Sequence, residues 1–221
     1  MNIILLISTI YLSYQFCKNK NISILSAIII EYLLYFYITT LPVIIGGVLN
    51  MLVVKSKYNN HLPIDNFYIC KDGRRLLGEN KTVFGFQSMI IMCIITSIIW
   101  GYICKIDCIG KYNLLYLNNQ NIEIFNLEIG FLLGLTYMLF ELPNSFIKRR
   151  LNISAGKTDK GLKGIIFYII DQIDSLIGVC LIYEIYIDYR LIDYILFIII
   201  GALTHIIVNL ILYGLKVRKN I

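Results

Sequence analysis

Charge is scarce in this sequence. Only 15% of its 221 residues are Asp, Glu, Lys or Arg, and 58% are apolar, against roughly 25% charged and about 45–50% apolar in soluble domains. A soluble globule of this size needs a wet exterior, and the polar residues here are too few to cover one. Lipid is therefore the solvent for most of the chain, and the net charge of +6 has to be read by position rather than as a sign of nucleic-acid binding. Familiar chemistry is scarce too. The six cysteines (Cys17, Cys70, Cys93, Cys104, Cys108, Cys180) form no CxxC pair and no metal framework. Of the two histidines, His205 sits among apolar residues and His61 has no carboxylate nearby, so no Ser-His-Asp or Cys-His arrangement is present. There is no internal repeat of the kind that marks many transporters.

What is present is a set of long apolar runs. Five have the length of a membrane crossing: Glu31–Val54 (part of a longer run, Ile22–Val54, that contains Pro42), Val83–Cys104, Leu127–Leu142, Ile165–Ile187 and Leu191–Leu215. The expected fold is all-α and polytopic. Residues 1–30 are expected to form a variable N-terminal membrane segment, and residues 31–221 one transmembrane domain with loops at 55–82 and 144–163. Met1–Cys17 lacks the basic start and small-residue cleavage site of a signal peptide and reads as a short additional membrane segment.

Position sorts the cations. Fifteen of the twenty lie in Lys55–Thr82, Asn144–Lys163 and the tail from Lys216, whereas the alternating segments Lys105–Asn126 and Glu184–Asp193 are neutral or acidic. By the positive-inside rule the basic loops and the C-terminus face the cytoplasm. Lys18 and Lys20 depart from this pattern if the first segment spans. The 17 tyrosines suit interfacial belts.

Three polar constellations interrupt the apolar background, all in or beside the two basic loops. Lys71–Phe86 places glycines at 73, 78 and 85 among Arg74, Arg75, Lys81 and Thr82, and runs into a helix N-terminus. Such a terminus favours anions, and the combination suits a polyphosphate. The same cations also suit an anchor on lipid phosphates. Glu141–Arg150 sets Glu141 and a break at Pro143 before Ser145, Lys148, Arg149 and Arg150. It reads as a headgroup or nucleotide site, or as a stop-transfer cluster.

The third constellation, Asp171-Gln172-Ile173-Asp174-Ser175, lies inside an apolar helix. The i,i+3 spacing puts both carboxylates on one face. With a helix start near Gly164, Asp171 lies about 10 Å in. Each ionised carboxylate at such depth costs about 2.5–3.5 kcal/mol, and the two repel one another. A Mg²⁺ ion removes both objections, since it takes one or two carboxylates and fills its shell with water and phosphate oxygens. A Lys or Arg from a neighbouring loop is the alternative partner.

In this order the three constellations resemble the archaeal CDP-archaeol synthases and their bacterial relatives, within the broader CDP-diacylglycerol synthases (phosphatidate cytidylyltransferases). The resemblance runs from Glu31 to the C-terminus and rests on DGRRLLGENKTVFGF within Lys71–Phe86, SFIKRR at Ser145–Arg150 and DQIDS at Asp171–Ser175. The family's loop usually reads Gly-Asp-Gly-Lys-Thr-Trp, where this chain has Gly78-Glu79-Asn80-Lys81-Thr82-Val83. The acid before the serine is usually Asp, where this chain has Glu141, and Asn152–Ile170 is longer than in archaeal members. The resemblance implies a multi-pass cell-membrane enzyme with a cytoplasm-facing site. It would use CTP and Mg²⁺ and act on a phosphatidic-acid-type lipid phosphate, archaeal ether or diacyl.

By that resemblance Asp171 and Asp174 hold the metal. Lys81, Arg74 and Arg75 hold the β- and γ-phosphates, and Lys148 and Arg149 hold the lipid phosphate or the leaving pyrophosphate. Gly78, Thr82, Glu141 and Ser145 complete the substrate-binding set. A CDP-alcohol phosphotransferase and a non-catalytic cation-binding membrane protein or transporter are the alternatives. The first lacks its denser Asp-rich motif here, and the second lacks its repeats.

Overall fold

The computed structural model describes residues 24–55, 62–156, 161–187 and 190–217. The Met1–Cys17 segment lies outside them. Seven helices follow in order: α1 (Ile24–Lys55), α2 (Val83–Ile103), two single turns α3 (Asp107–Gly110) and α4 (Leu115–Asn118), α5 (Glu123–Arg150), α6 (Gly161–Tyr186) and α7 (Leu191–Gly214). Five of them, α1, α2, α5, α6 and α7, are long and apolar enough to cross a membrane. The described residues contain no strand, only two isolated bridges, Pro63 with Thr82 and Ile69 with Arg75. Apolar side chains cover the outside, as Ile99, Ile185, Leu203 and Ile211 do, because hydrocarbon rather than water surrounds these helices.

Pro143 lies inside α5, which continues unbroken to Arg150. The sequence reading placed a break there and a loop from 144. Membrane helices tolerate proline where neighbours re-satisfy the backbone, so Ser145, Lys148 and Arg149 ride on the helix. Likewise α6 begins at Gly161 rather than near Gly164. Cys93, Cys104, Cys108 and Cys180 are free thiols.

The helices pack in the sequence α1–α2–α5–α6–α7. Close approach at the centre comes from glycines. A Cβ on Gly130 would stand 2.6 Å from Ile94 Cα, and one on Gly134 2.7 Å from Ile90 Cα. This Gly130–Gly134 spacing is the small-xxx-small face that lets membrane helices meet backbone to backbone. Gly178 does the same for α6, where a Cβ would lie 2.7 Å from Thr136 O of α5. The core built on these contacts includes Met89, Cys93, Leu133, Val179 and Tyr183, with the Tyr183 hydroxyl donating to Thr39 O at 3.1 Å.

Gly130→Ala is expected to cost about 1–3 kcal/mol, the range for overpacking, and to lower the unfolding temperature in detergent. Gly47→Ala, whose Cβ would meet nothing nearer than Met89 Cε at 3.9 Å, should leave that temperature unchanged. Equal thermal stability of the two variants would contradict this account of the α2–α5 interface.

Candidate functional site

The 62–82 segment is organised by a residue that the sequence reading did not single out. The Asp65 side chain is fully buried and collects the amides of Phe67 (3.2 Å), Leu77 (3.0 Å) and Gly78 (3.2 Å) together with the Arg75 guanidinium. Burial alone would push its carboxyl up, but Arg75 and the two amides of Leu77 and Gly78 outweigh this and hold it below the usual carboxylate range. Gly78 takes φ +116°, and a Cβ there would meet Ala155 and Arg149, so only glycine brings this turn against the end of α5. The chain then returns through Lys81, whose carbonyl accepts from Ile64 N at 2.8 Å. Thr82 caps α2 by accepting from Gly85 N at 3.0 Å.

This arrangement sets Arg74 and Arg75 apart from the other expected site residues. Arg75 is committed to Asp65, and its guanidinium also covers the Phe67 ring at 4.9 Å. Arg74 donates to the Arg150 carbonyl. Arg150 in turn pairs with Asp72 at 3.1 Å and donates to Arg75 O at 2.5 Å. These three arginines fasten the segment to the end of α5, and neither Arg74 nor Arg75 lines the cavity described next.

At the basic end of the bundle a cavity of about 580 Å³ lies between the folded segment and helices α1, α2, α5, α6 and α7. Lys81, Thr82, Glu141, Ser145, Lys148, Arg149, Asp171 and Asp174 all line it, so eight of the eleven sequence-predicted site residues converge. Gly78 stands just behind it. Because α5 runs straight through Pro143, Glu141, Asn144, Ser145 and Lys148 fall at helical spacing on one face, opposite Asp171 and Asp174 of α6.

Asn144 joins the two carboxylates. Its Nδ2 donates to Asp171 Oδ1 at 2.6 Å and to Asp174 Oδ2 at 2.7 Å. Lys148 Nζ reaches both oxygens of Asp171 at 2.5 Å, and Lys81 pairs with Glu141. Burial alone would push the Lys81 ammonium down, but Glu141 first, then Asp174 and Asp171, outweigh it and hold it above the ordinary lysine value. It is therefore fully charged at neutral pH. Asp174, only 9% exposed, is the one of the three carboxylates without a cation at ion-pair distance among the described residues.

Could these residues hold a divalent cation? Among the described residues no group of three His, Cys, Asp or Glu gathers for one. The oxygen chemistry nevertheless fits Mg²⁺. Two carboxylates lie side by side, and the Asn144 Oδ1 beside them is buried without a hydrogen-bond partner. An ion that takes only one or two carboxylates, with carbonyl, water and phosphate oxygens for the rest, needs no more from the protein.

Sequence reasoning missed Asn144, Asn50, Ser154 and Gln172, all of which line the cavity, and it missed Asp65 behind the cavity. Asn144 was legible at i+3 from Glu141 once Pro143 is read as helical. A lone acid ahead of a basic glycine-rich stretch was the available signal for Asp65.

A family model described as CarS-like, CDP-archaeol synthase, matches residues 24–221. The chain is 31% identical over 188 residues to a CDP-archaeol synthase of Pyrobaculum islandicum, covering 85% of this chain and 98% of that one. It is 41% identical over 164 residues to a CDP-archaeol synthase of Staphylothermus marinus, covering 71% and 77%. In fold it resembles the solved structure of an intramembrane enzyme for archaeal membrane lipids biosynthesis, with a TM-score of 0.57 at 19% identity over 79% of this chain and 92% of that one.

Asp65→Asn should loosen the 62–82 segment by about 1.5–3 kcal/mol, the worth of hydrogen bonds to a charged group. Because the folded carboxyl titrates below its ordinary value near 3.9, this stabilisation is complete above roughly pH 4 and is lost as pH falls through the lower folded value. Amide hydrogen exchange across 62–82 reads both effects. Unchanged protection in the variant at pH 7 would contradict the role given to Asp65.

Proposed function

The chain belongs to the CDP-archaeol synthase family and, on that premise, we propose that it moves the cytidylyl group of CTP onto a membrane glycerolipid phosphate, giving a CDP-lipid and pyrophosphate. The acceptor in this reading is a phosphatidic-acid-type phosphate, archaeal ether-linked or diacyl. The observation that carries it is the pair of intramembrane carboxylates, Asp171 and Asp174, bridged by Asn144 and facing a cavity lined by lysines.

A phosphate monoester has a second pKa near 6 and is mostly dianionic at pH 7. Its oxygen can attack the α-phosphorus of CTP, forming the new P–O bond as the bond to pyrophosphate breaks, with no proton to remove first. The step therefore asks for no general base. What the reaction asks of the protein is alignment and charge neutralisation. Lys81, Lys148 and Arg149 are the cations that line the cavity, and they balance phosphate charge there. Glu141 and Asp171, the partners of Lys81 and Lys148, keep the two ammonium groups aimed into the cavity. Asp171, Asp174 and the Asn144 carbonyl oxygen would hold Mg²⁺, which when bound draws the negative charge of the triphosphate and the lipid phosphate together. Arg74, Arg75 and Arg150 hold the covering segment in place rather than holding substrate. In this reading the cavity opens to the cytoplasm, where CTP is available, and the cations gathered at this end of the bundle support that orientation by the positive-inside rule.

Purified protein incubated with CTP, Mg²⁺ and either phosphatidic acid or a dialkyl ether analogue should yield CDP-lipid detectable by mass spectrometry. No product with either acceptor would overturn the reading. Asp171→Asn and Asp174→Asn should each lower turnover at least a hundredfold while the protein still inserts and folds, and full activity in both would remove the metal assignment. Chelation of divalent cations should abolish turnover and added Mg²⁺ should restore it. Activity that survives chelation would contradict a metal at this pair.

A further inference from the structure

Three large apolar side chains of the covering segment stand uncovered. Phe67, Tyr68 and Ile69 are 59%, 61% and 60% exposed, none of them lines the polar cavity, and the proposed reaction makes no use of them. They belong to a loop rather than to a helix facing hydrocarbon, so spanning the membrane does not account for them. A contiguous apolar patch left open in this way marks a surface that meets something.

The tip that carries them has one defined shape. Leu76 N donates to Tyr68 O at 3.0 Å, Cys70 N to Arg74 O at 2.8 Å and Gly73 N to Cys70 O at 2.9 Å. With the bridge between Ile69 and Arg75 these bonds close a short hairpin. Asn66 and Phe67 take φ of +43° and +63°, a left-handed turn that side chains usually avoid and that persists only where its surroundings enforce it.

The length of α5 sets the depth of this hairpin. Its 28 residues extend about 42 Å at 1.5 Å per residue, against roughly 40–45 Å for a bilayer with its headgroup layers. The Arg150 end therefore lies in a headgroup layer. The hairpin is fastened to that end: Arg74 donates to Arg150 O, Arg150 donates to Arg75 O at 2.5 Å, and Arg150 pairs with Asp72 at 3.1 Å.

The composition of the patch suits that layer, where aromatic rings and basic side chains settle together. Arg75 covers the Phe67 ring at 4.9 Å, and Arg150 covers the ring of the exposed Phe146 at 4.8 Å. Lys71 is exposed two residues beyond Ile69. Asp72 is the one acid among residues 66–76, and Arg150 already takes it. The patch is thus apolar with a positive fringe, the complement of an anionic lipid surface. A water-borne partner would have to reach into the headgroup layer to cover it.

We propose that Phe67, Tyr68 and Ile69 insert into the headgroup layer and that Lys71 beside them takes the phosphate of an anionic lipid. The bilayer itself then seats the segment that covers the cavity. This contact is independent of the reaction.

Trp100 is the only tryptophan in the chain, so Tyr68→Trp combined with Trp100→Phe gives a single fluorescent probe at the tip. The full-length variant is placed in vesicles of phosphatidylcholine mixed with phosphatidylglycerol. Lipids brominated close to the headgroup should quench the probe, and acrylamide in the water should quench it about threefold less than it quenches free tryptophan amide. Ile69→Asp in the same background should raise acrylamide quenching about threefold while the unfolding temperature in detergent stays unchanged, which shows that the variant folds. Pure phosphatidylcholine, or Lys71→Gln, should weaken the bromolipid quenching about twofold. Acrylamide quenching equal to that of free tryptophan amide, with none from bromolipid, would overturn the insertion, as would indifference to Ile69→Asp. Shielding from both quenchers, relieved by dilution in detergent, would show a second copy of the chain on the patch and overturn the lipid. Bromolipid quenching that ignores both phosphatidylglycerol and Lys71→Gln would overturn the anionic contact.

Discussion

The structure depends on one amide placed between two carboxylates inside the membrane. Asp171 and Asp174 sit on the same face of α6, where each ionised group costs about 2.5–3.5 kcal/mol and each raises the cost of the other. Asn144 of α5 donates to both, and Lys148, one turn further along the same helix, closes on Asp171. That contact sets the register of α5 against α6. It requires the close approach that Gly178 allows and the unbroken passage of α5 through Pro143. The α2–α5 interface, built on Gly130 and Gly134, then sets the cap of α2 at Thr82 and with it the position of Lys81.

The cations divide into two groups with different work. Arg74, Arg75 and Arg150 are spent on Asp65, Asp72 and backbone carbonyls, and they hold a folded segment over the basic end of the bundle. Lys81, Lys148 and Arg149 face the cavity. The division follows from Asp65. A buried carboxylate without a cation is costly, so it takes the nearest arginine and converts a run of apparent phosphate binders into a structural clasp. Composition counts all six alike, and only the partners that each finds in the folded chain tell them apart.

Hydropathy was enough to read the five crossings, and charge alternation was enough to gather the basic segments at one end, because both are properties of long stretches. The i,i+3 spacing of Asp171 and Asp174 was equally legible, since a helix makes that spacing a shared face. What could not be read came from tertiary contact. Pro143 looked like a break because proline ends isolated helices, but neighbours sustain it here, and so Asn144 was passed over. Arg74 and Arg75 looked free because their partners are distant in sequence: Asp65, which pairs with Arg75, lies ten residues away, and the Arg150 carbonyl that takes Arg74 lies seventy-six away. Residues 24–221 match the CDP-archaeol synthase family, the family that the order of the three constellations resembles.

The central claim is that the charges gathered around Asp171 and Asp174 direct a lipid phosphate onto the α-phosphorus of CTP. The fate of isotope tests it most directly. With CTP labelled at the α-phosphate the account predicts label in the lipid product, and with CTP labelled at the γ-phosphate it predicts label only in released pyrophosphate. Label from the γ-phosphate in the lipid, or from neither position, would contradict it.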